Sequence, residues 1–488
     1  MKLHLFNKYL ILILTIATLN SCTKSESIPQ ELEVHDFIWK GLNAYYLWQS
    51  DIPDLQDNRF SNQSQLNDYL TGFSSPEQLF ESLLNRPTDR FSVIVDDYIA
   101  LENAFQGITL NSGMEFGLVQ YSNGSESIFG YVRYVLPSSD AETKGVSRGM
   151  IFNTVDNTQL TTTNFRALLF GNNTNFTIGL SNYNNGNPTT NGNTITLSKT
   201  QLQENPVALK KVFNEGAKKI GYLMYNQFSS SFDGQLNAAF SEFKSQGVTD
   251  LVIDLRYNSG GSVKTATHLG SMITGQFTGQ LYSKESWNEK VQKAITADRF
   301  INNFTNQIRN TDRNGNVILE EAIQSLNLTK VYFIVSSSSA SASELVINSL
   351  RSYIDVALVG DTTRGKQEGS ITLYDSDNLT RTGDNLNPNH TYAMQPLVLE
   401  IVNADDKSER NGFTPGTTLP GVLLKEDYNN LGVLGQKSDP LLDRMITYII
   451  SGNKGLYKQQ SFENRNIEIF NSKLGSPTKD NMYVDLKR

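Results

Sequence analysis

Six serines fall within eight positions of "VYFIVSSSSASASELVINSL", residues 331–350, between an apolar run and a helical pattern. A serine hydroxyl is a poor nucleophile until a neighbouring base takes its proton. Beyond the N-terminal leader the histidines are His35, His268 and His390. The first sits in a helical N-terminal region and the second inside a helix, while the third, in "NPNHTY", is of a kind more often structural than basic. A Ser-His-Asp triad is poorly supported. Lysine can take the role if an apolar pocket lowers its pKa enough to leave a neutral amine near neutral pH. Lys366, in "VALVGDTTRGKQEGS", follows an apolar run directly. A helix-opening serine is also an ordinary capping residue, and Ser341-Ala342-Ser343-Glu344 has the form of a capping box.

The surrounding elements decide whether these groups can meet. "KIGYLMY" predicts a strand; "LNAAFSEFKSQG" sets Leu236, Ala239, Phe240 and Phe243 on one helical face with Gly247 as stop; "DLVIDL" predicts a buried strand. The "RYNSGGS" loop, the helical "VKTATHLGSMI", a polar insertion, the strand "KVYFIV", the serine loop, a helix and the strand "VALVG" follow. This alternation predicts a largely parallel sheet, whose sites form at the carboxyl ends of its strands. The loops carrying the serines and Lys366 then emerge at one edge.

"SASASE" followed by "VALVGDTTRGK" resembles the signature of the C-terminal processing (tail-specific) serine peptidases, in which a serine at a helix start pairs with a lysine 25 positions on. That spacing selects Ser341 and Lys366 as the catalytic pair. "DLRYNSGG" matches the same family's Asp-Leu-Arg-Asn-Asn-x-Gly-Gly segment, and the resemblance covers residues 107–403. The backbone N–H of Ala342, following the nucleophile, is a natural oxyanion donor. The resemblance implies Gly260 or Gly261 as the second donor, although these glycines would equally serve a tight turn. The family commonly places a glutamine four residues after the lysine. Here that position is Ser370, so Gln367 or Ser370 is left to orient Lys366.

Residues 107–203 carry β-type runs divided by Gly and Asn clusters, and they resemble a PDZ domain, which adds a peptide C-terminus as an extra strand. Within "GMEFGL", Phe116, Gly117 and Leu118 are the candidate carboxylate loop; a buried hairpin edge is the plain alternative. "VLPSSDAETKGVSRGMIFNTVDN" follows the family run but has Met150 where Asp is usual and Asp156-Asn157 where Asn-Gly is usual. "NTDRNGNVILEE" imitates a calcium loop through Gly315 and Glu321, yet Asn310 and Ile318 occupy positions that should be ligands. The expectation is no metal, no cofactor, and a polar turn leading into a helix.

The chain begins with two lysines, a short apolar run and Leu19-Asn20-Ser21-Cys22, which resembles a bacterial lipobox with Cys22 as the lipid acceptor. Cys22 is the sole cysteine, so no internal disulfide can form. With 42 basic and 50 acidic residues the net charge is -8, which disfavours nucleic acid as a partner. The expected architecture is a multidomain α/β chain. It comprises a signal peptide (1–21), a helical N-terminal domain (22–106), a mainly β PDZ-like domain (107–203), an α/β peptidase domain with crotonase- or Clp-like βαβ units (204–455) and a polar, peripheral tail (456–488). The expected function is cleavage of exported polypeptides with free C-termini, by a protein lipid-anchored in the bacterial cell envelope. The alternative is a noncatalytic peptide-binding lipoprotein of the same fold.

Overall fold

The computed structural model describes residues 27–451 and 466–484; Cys22 and the leader lie outside them. Near the N-terminus, helix Glu33–Tyr45 buries Phe37, Ile38 and Leu42 against the helices Gln63–Leu70 and Pro76–Ser82. Asn62 and Ser75 accept from the N–H groups of Gln65 and Gln78, and Pro76 occupies the first turn, where its missing N–H costs nothing. These helices do not stand apart. A Cβ on Gly41 would meet Met394 Cε at 2.1 Å, and Leu47 N–H donates to Leu397 O at 2.9 Å.

Residues 114–198 form an antiparallel sheet of strands Met114–Gln120, Ile128–Val135, Ile151–Val155, Asn175–Asn182 and Thr189–Ser198, in that order. Phe116, Leu118, Val132, Phe152 and Ile178 share its core with helix Phe165–Phe170. Phe116, Gly117 and Leu118 therefore lie within a strand and not in a loop before one. A Cβ on Gly117 would meet the Tyr131 ring at 2.4 Å, so only glycine fits this register.

A second sheet runs in the order 207–215, 218–225, 250–254, 330–335, 355–360 and 421–423, parallel after its first pair. Period-2 alternation in "KVYFIV" explains how it is sandwiched. Val331, Phe333 and Val335 join the cluster holding helices Asp233–Ser245, Val263–Thr274 and Ala342–Leu350, while Tyr332 and Ile334 join the one holding Pro440–Ser451. The parallel βαβ order expected from the sequence is present.

Two further expectations fail. The stretch 310–321 is a hairpin, Gln307–Thr311 against Val317–Ala322, and not a turn into a helix. Asp312 accepts from the N–H groups of Asn314 and Asn316, Gly315 takes φ 83°, and Glu321 accepts from Asn237 away from the turn. The C-terminal stretch is not peripheral either: Glu468–Asn471 pairs with Met114–Gln120, and Met482–Tyr483 lies between Gly261–Ser262 and Glu368–Ser370.

Candidate active site

Ser341 stands at the N-terminus of helix Ala342–Leu350, just past the carboxyl end of strand Lys330–Val335. Its backbone is strained, with φ 65° and ψ -118°. For a non-glycine residue this costs on the order of 1–3 kcal/mol and persists only where the surroundings enforce it. One enforcing group is Glu344. Its buried carboxylate accepts from Ser341 N–H at 3.0 Å, completing one arm of the capping box, and also from Gly365 N–H at 2.7 Å, Lys366 N–H at 2.9 Å and the Thr363 hydroxyl. A single side chain thus ties the serine turn to the lysine loop. Burial pushes the Glu344 carboxyl up to about 7, against the pull of these donors. Ser341 Oγ is itself buried and faces the Glu344 N–H as the other arm of the capping box, without reaching ordinary hydrogen-bond geometry.

Lys366 is 2% exposed, and burial lowers its amine to about 8, although Asp480, Glu368, Asp89 and Glu344 act to raise it. Its Nζ lies 5.0 Å from the centre of the Phe91 ring and donates to Asp480 O. Ser341, Glu344, Lys366 and Gln367 line one small cavity, and both polar atoms of the Gln367 amide are buried without a hydrogen-bonding partner. Ser370 turns elsewhere, donating to Asn481 Oδ1 at 2.8 Å, so it does not orient Lys366.

The glycine turn faces the serine closely. A Cβ on Gly260 would lie 2.6 Å from Ser341 Cβ and 2.8 Å from its Oγ, and φ is 115° at Gly260 and 135° at Gly261. The turn is held from behind by Arg256, which is fully buried and paired with Asp254 at 2.6 Å, Asp439 at 2.8 Å and Glu426 at 3.3 Å. Burial alone would raise Glu426, but Arg148 and Arg256 hold it down to about 2. Both predicted glycine donors are engaged: Gly260 N–H donates to Asn258 Oδ1 at 2.9 Å and Gly261 N–H to Asn481 O at 2.6 Å. Only Gly261 is bound by a peptide carbonyl lying at the serine. The helix-start N–H of Ala342 stays beside Ser341 without a partner among the described residues.

Two of the histidines are engaged elsewhere. His268 Nδ1 meets Asp233 at 2.9 Å, whereas His390 contacts Asp375 through Nε2 at 3.0 Å and accepts from Tyr392 N–H through Nδ1. Among the described residues there is no group of three or more side chains able to hold a metal. Sequence reasoning missed Phe91, Glu344 as a tether, and Arg133. Arg133 is fully buried in strand Ile128–Val135, stacks 4.7 Å from the Tyr257 ring, and donates to Ser338 Oγ at 3.0 Å and to Glu468.

Residues 219–386 match the description Peptidase family S41, and residues 33–93 match Peptidase S41 N-terminal domain. A Staphylococcus epidermidis protein named "Probable CtpA-like serine protease" is 25% identical over 34% of this chain and 29% of its own length. An Arabidopsis thaliana protein named "Carboxyl-terminal-processing peptidase 1, chloroplastic" is 26% identical over 39% of this chain and 36% of its own. The matched segments thus span about a third of these curated relatives. A crystal structure from Bacteroides fragilis NCTC 9343, titled as an S41 protease, shares the fold with TM-score 0.61 at 23% identity, covering 85% of this chain and 97% of that one. Ser341, Lys366, Gly260 and Gly261 all fall inside the segment that matches the Peptidase family S41 description.

Proposed function

We infer that the protein is a serine endopeptidase of Ser-Lys type acting on polypeptides near their C-termini. The observation that carries this reading is the cavity shared by the buried Ser341 hydroxyl and a buried Lys366 whose amine is lowered to about 8. A free amine at that value is a competent general base near neutral pH. Ser341 Oγ attacks the scissile carbonyl carbon and its proton passes to Lys366 Nζ. The C–N bond then breaks, and the departing amine takes that proton. Water, deprotonated by the same lysine, hydrolyses the acyl ester and regenerates Ser341. Ala342 N–H and Gly261 N–H would hold the oxyanion, the latter once released from Asn481 O.

The sheet 114–198 is the proposed PDZ-like recruitment module. Its support is the Met114–Gln120 edge, which pairs with an extended segment as β-augmentation requires. Lipid anchoring at Cys22 in a bacterial envelope is a further part of the reading and rests on the leader sequence. Incubation with an unfolded protein substrate tests the chemistry. Ser341→Ala and Lys366→Arg should both be inactive, and equal cleavage by the parent and by Ser341→Ala would remove Ser341 from the reaction. Loss of metabolic lipid labelling in Cys22→Ser tests the anchor.

A further inference from the structure

Residues 466–484 run through the places the proposed chemistry would use. Glu468–Asn471 adds antiparallel to the Met114–Gln120 edge, with Glu468 opposite Val119 and Asn471 opposite Gly117. Phe470 enters the module's core, 5.1 Å from the Phe165 ring and 5.3 Å from Phe170. Ser472 Oγ then accepts from Phe116 N–H at 3.0 Å and donates to the Glu115 carboxylate, so the segment takes the edge's free N–H. A cleft of about 640 Å³, walled by Phe116, Asn226, Gly260 and Lys473, separates this point from the catalytic turn. Beyond it, Met482–Tyr483 lies between Gly261–Ser262 and Glu368–Ser370, parallel to both.

An ordinary terminal strand would satisfy spare backbone groups; this one takes the groups that proteolysis needs free. Asp480 O holds the Lys366 amine, and Asn481 O holds Gly261 N–H at 2.6 Å. A Cβ on Gly260 would lie 2.4 Å from Asn481 O and 2.8 Å from Ser341 Oγ, so the carbonyl and the hydroxyl border the same spot. Asp480 adopts φ 44°, a conformation unfavourable for a residue with a side chain, and this lets two successive carbonyls reach the two sites. Asn481 corresponds to the residue whose carbonyl would be attacked. With Lys366 Nζ held at Asp480 O and Gly261 N–H at Asn481 O, the segment fills the place an incoming polypeptide would take.

We propose that residues 466–484 are a built-in substrate mimic, occupying the module edge and the catalytic slot that a polypeptide substrate would take and walling the cleft between them, and that proteolysis requires their departure. This rests on the peptidase reading, and two readouts separate the fates of the two ideas. The variants are Phe470→Asp, which removes the anchor in the module, and Met482→Arg, which sets a cation beside Lys366 where a side chain 1% exposed now sits. Either alone carries the test if the other misfolds.

In a Ser341→Ala background, a fluorescent peptide of residues 466–484 should bind the released variant at least tenfold more tightly than the full chain with its own segment intact. Equal binding to both, or binding to neither, would overturn the proposal. With Ser341 present, each released variant should cleave an unfolded substrate at least tenfold faster than the parent, and the added peptide should inhibit it competitively. Equal cleavage by parent and variants would also overturn the proposal while leaving the peptidase intact. Gain of peptide binding without cleavage by any form would sustain the mimic and sink the peptidase reading.

Discussion

The sharpest quantitative expectation concerns the protonation of Lys366. Only the neutral amine can take the Ser341 proton, and burial lowers that amine from the usual lysine range to about 8. A group titrating there is about 1% neutral at pH 6, about 9% at pH 7 and about 90% at pH 9, so the rate should climb roughly ninetyfold between pH 6 and 9 and then level. The assay is the second-order rate of Ser341 labelling by a small fluorophosphonate, which needs no substrate recruitment. Asp480 supplies the largest opposing influence, its carboxylate favouring the ammonium. Asp480→Asn should therefore move the midpoint to lower pH, with the plateau unchanged in shape. Lys366→Arg should lose labelling by about a thousandfold or more at every pH, because a guanidinium stays protonated. A flat profile, or a midpoint near 6.5 as a histidine would give, would refute lysine as the base.

Glu344→Gln exchanges an all-acceptor carboxylate for a side chain that turns two donors toward N–H groups; it should cost about 2–4 kcal/mol in chemical denaturation and slow labelling at least tenfold. Gly260→Ala, with no room for its Cβ and φ of 115°, should fold yet lose labelling, as intact circular dichroism beside absent probe signal would show. Arg133→Met leaves Glu468 without its buried partner and should destabilise by about 3 kcal/mol, while Arg133→Met with Glu468→Gln should recover most of that in urea titrations.

What could be read from the sequence follows the range of the interactions involved. "DLVIDL", "KVYFIV" and "VALVG" announce themselves because each strand is buried on both faces and carries its own apolar signal. Ser341 and Lys366 were reachable through a spacing inside one βαβ unit. Phe91 was not, since it approaches Lys366 from a segment about 275 residues earlier, where Arg90 also donates to Gly365 O. The tail strands were hidden for a different reason. Glu468–Asn471 and Met482–Tyr483 are too short to show periodicity, and their pairing energy comes from edges contributed by distant parts of the chain. Glu344 was visible only as a local cap, because its other three donors lie about 20 residues on.

The buried guanidinium of Arg133 has a consequence for how such proteins could be rebuilt. Domains joined by flexible linkers behave as interchangeable cassettes, since few contacts cross the boundary. Here a side chain grown from the β-sheet module reaches Ser338, three residues before Ser341, and packs on Tyr257 in the loop leading to the Gly-Gly turn. A chimera that grafts in a foreign sheet without an arginine at this position would leave the Glu468 charge without its cation and an empty volume behind the serine loop. Exchanging this sheet therefore means transplanting the arginine along with it.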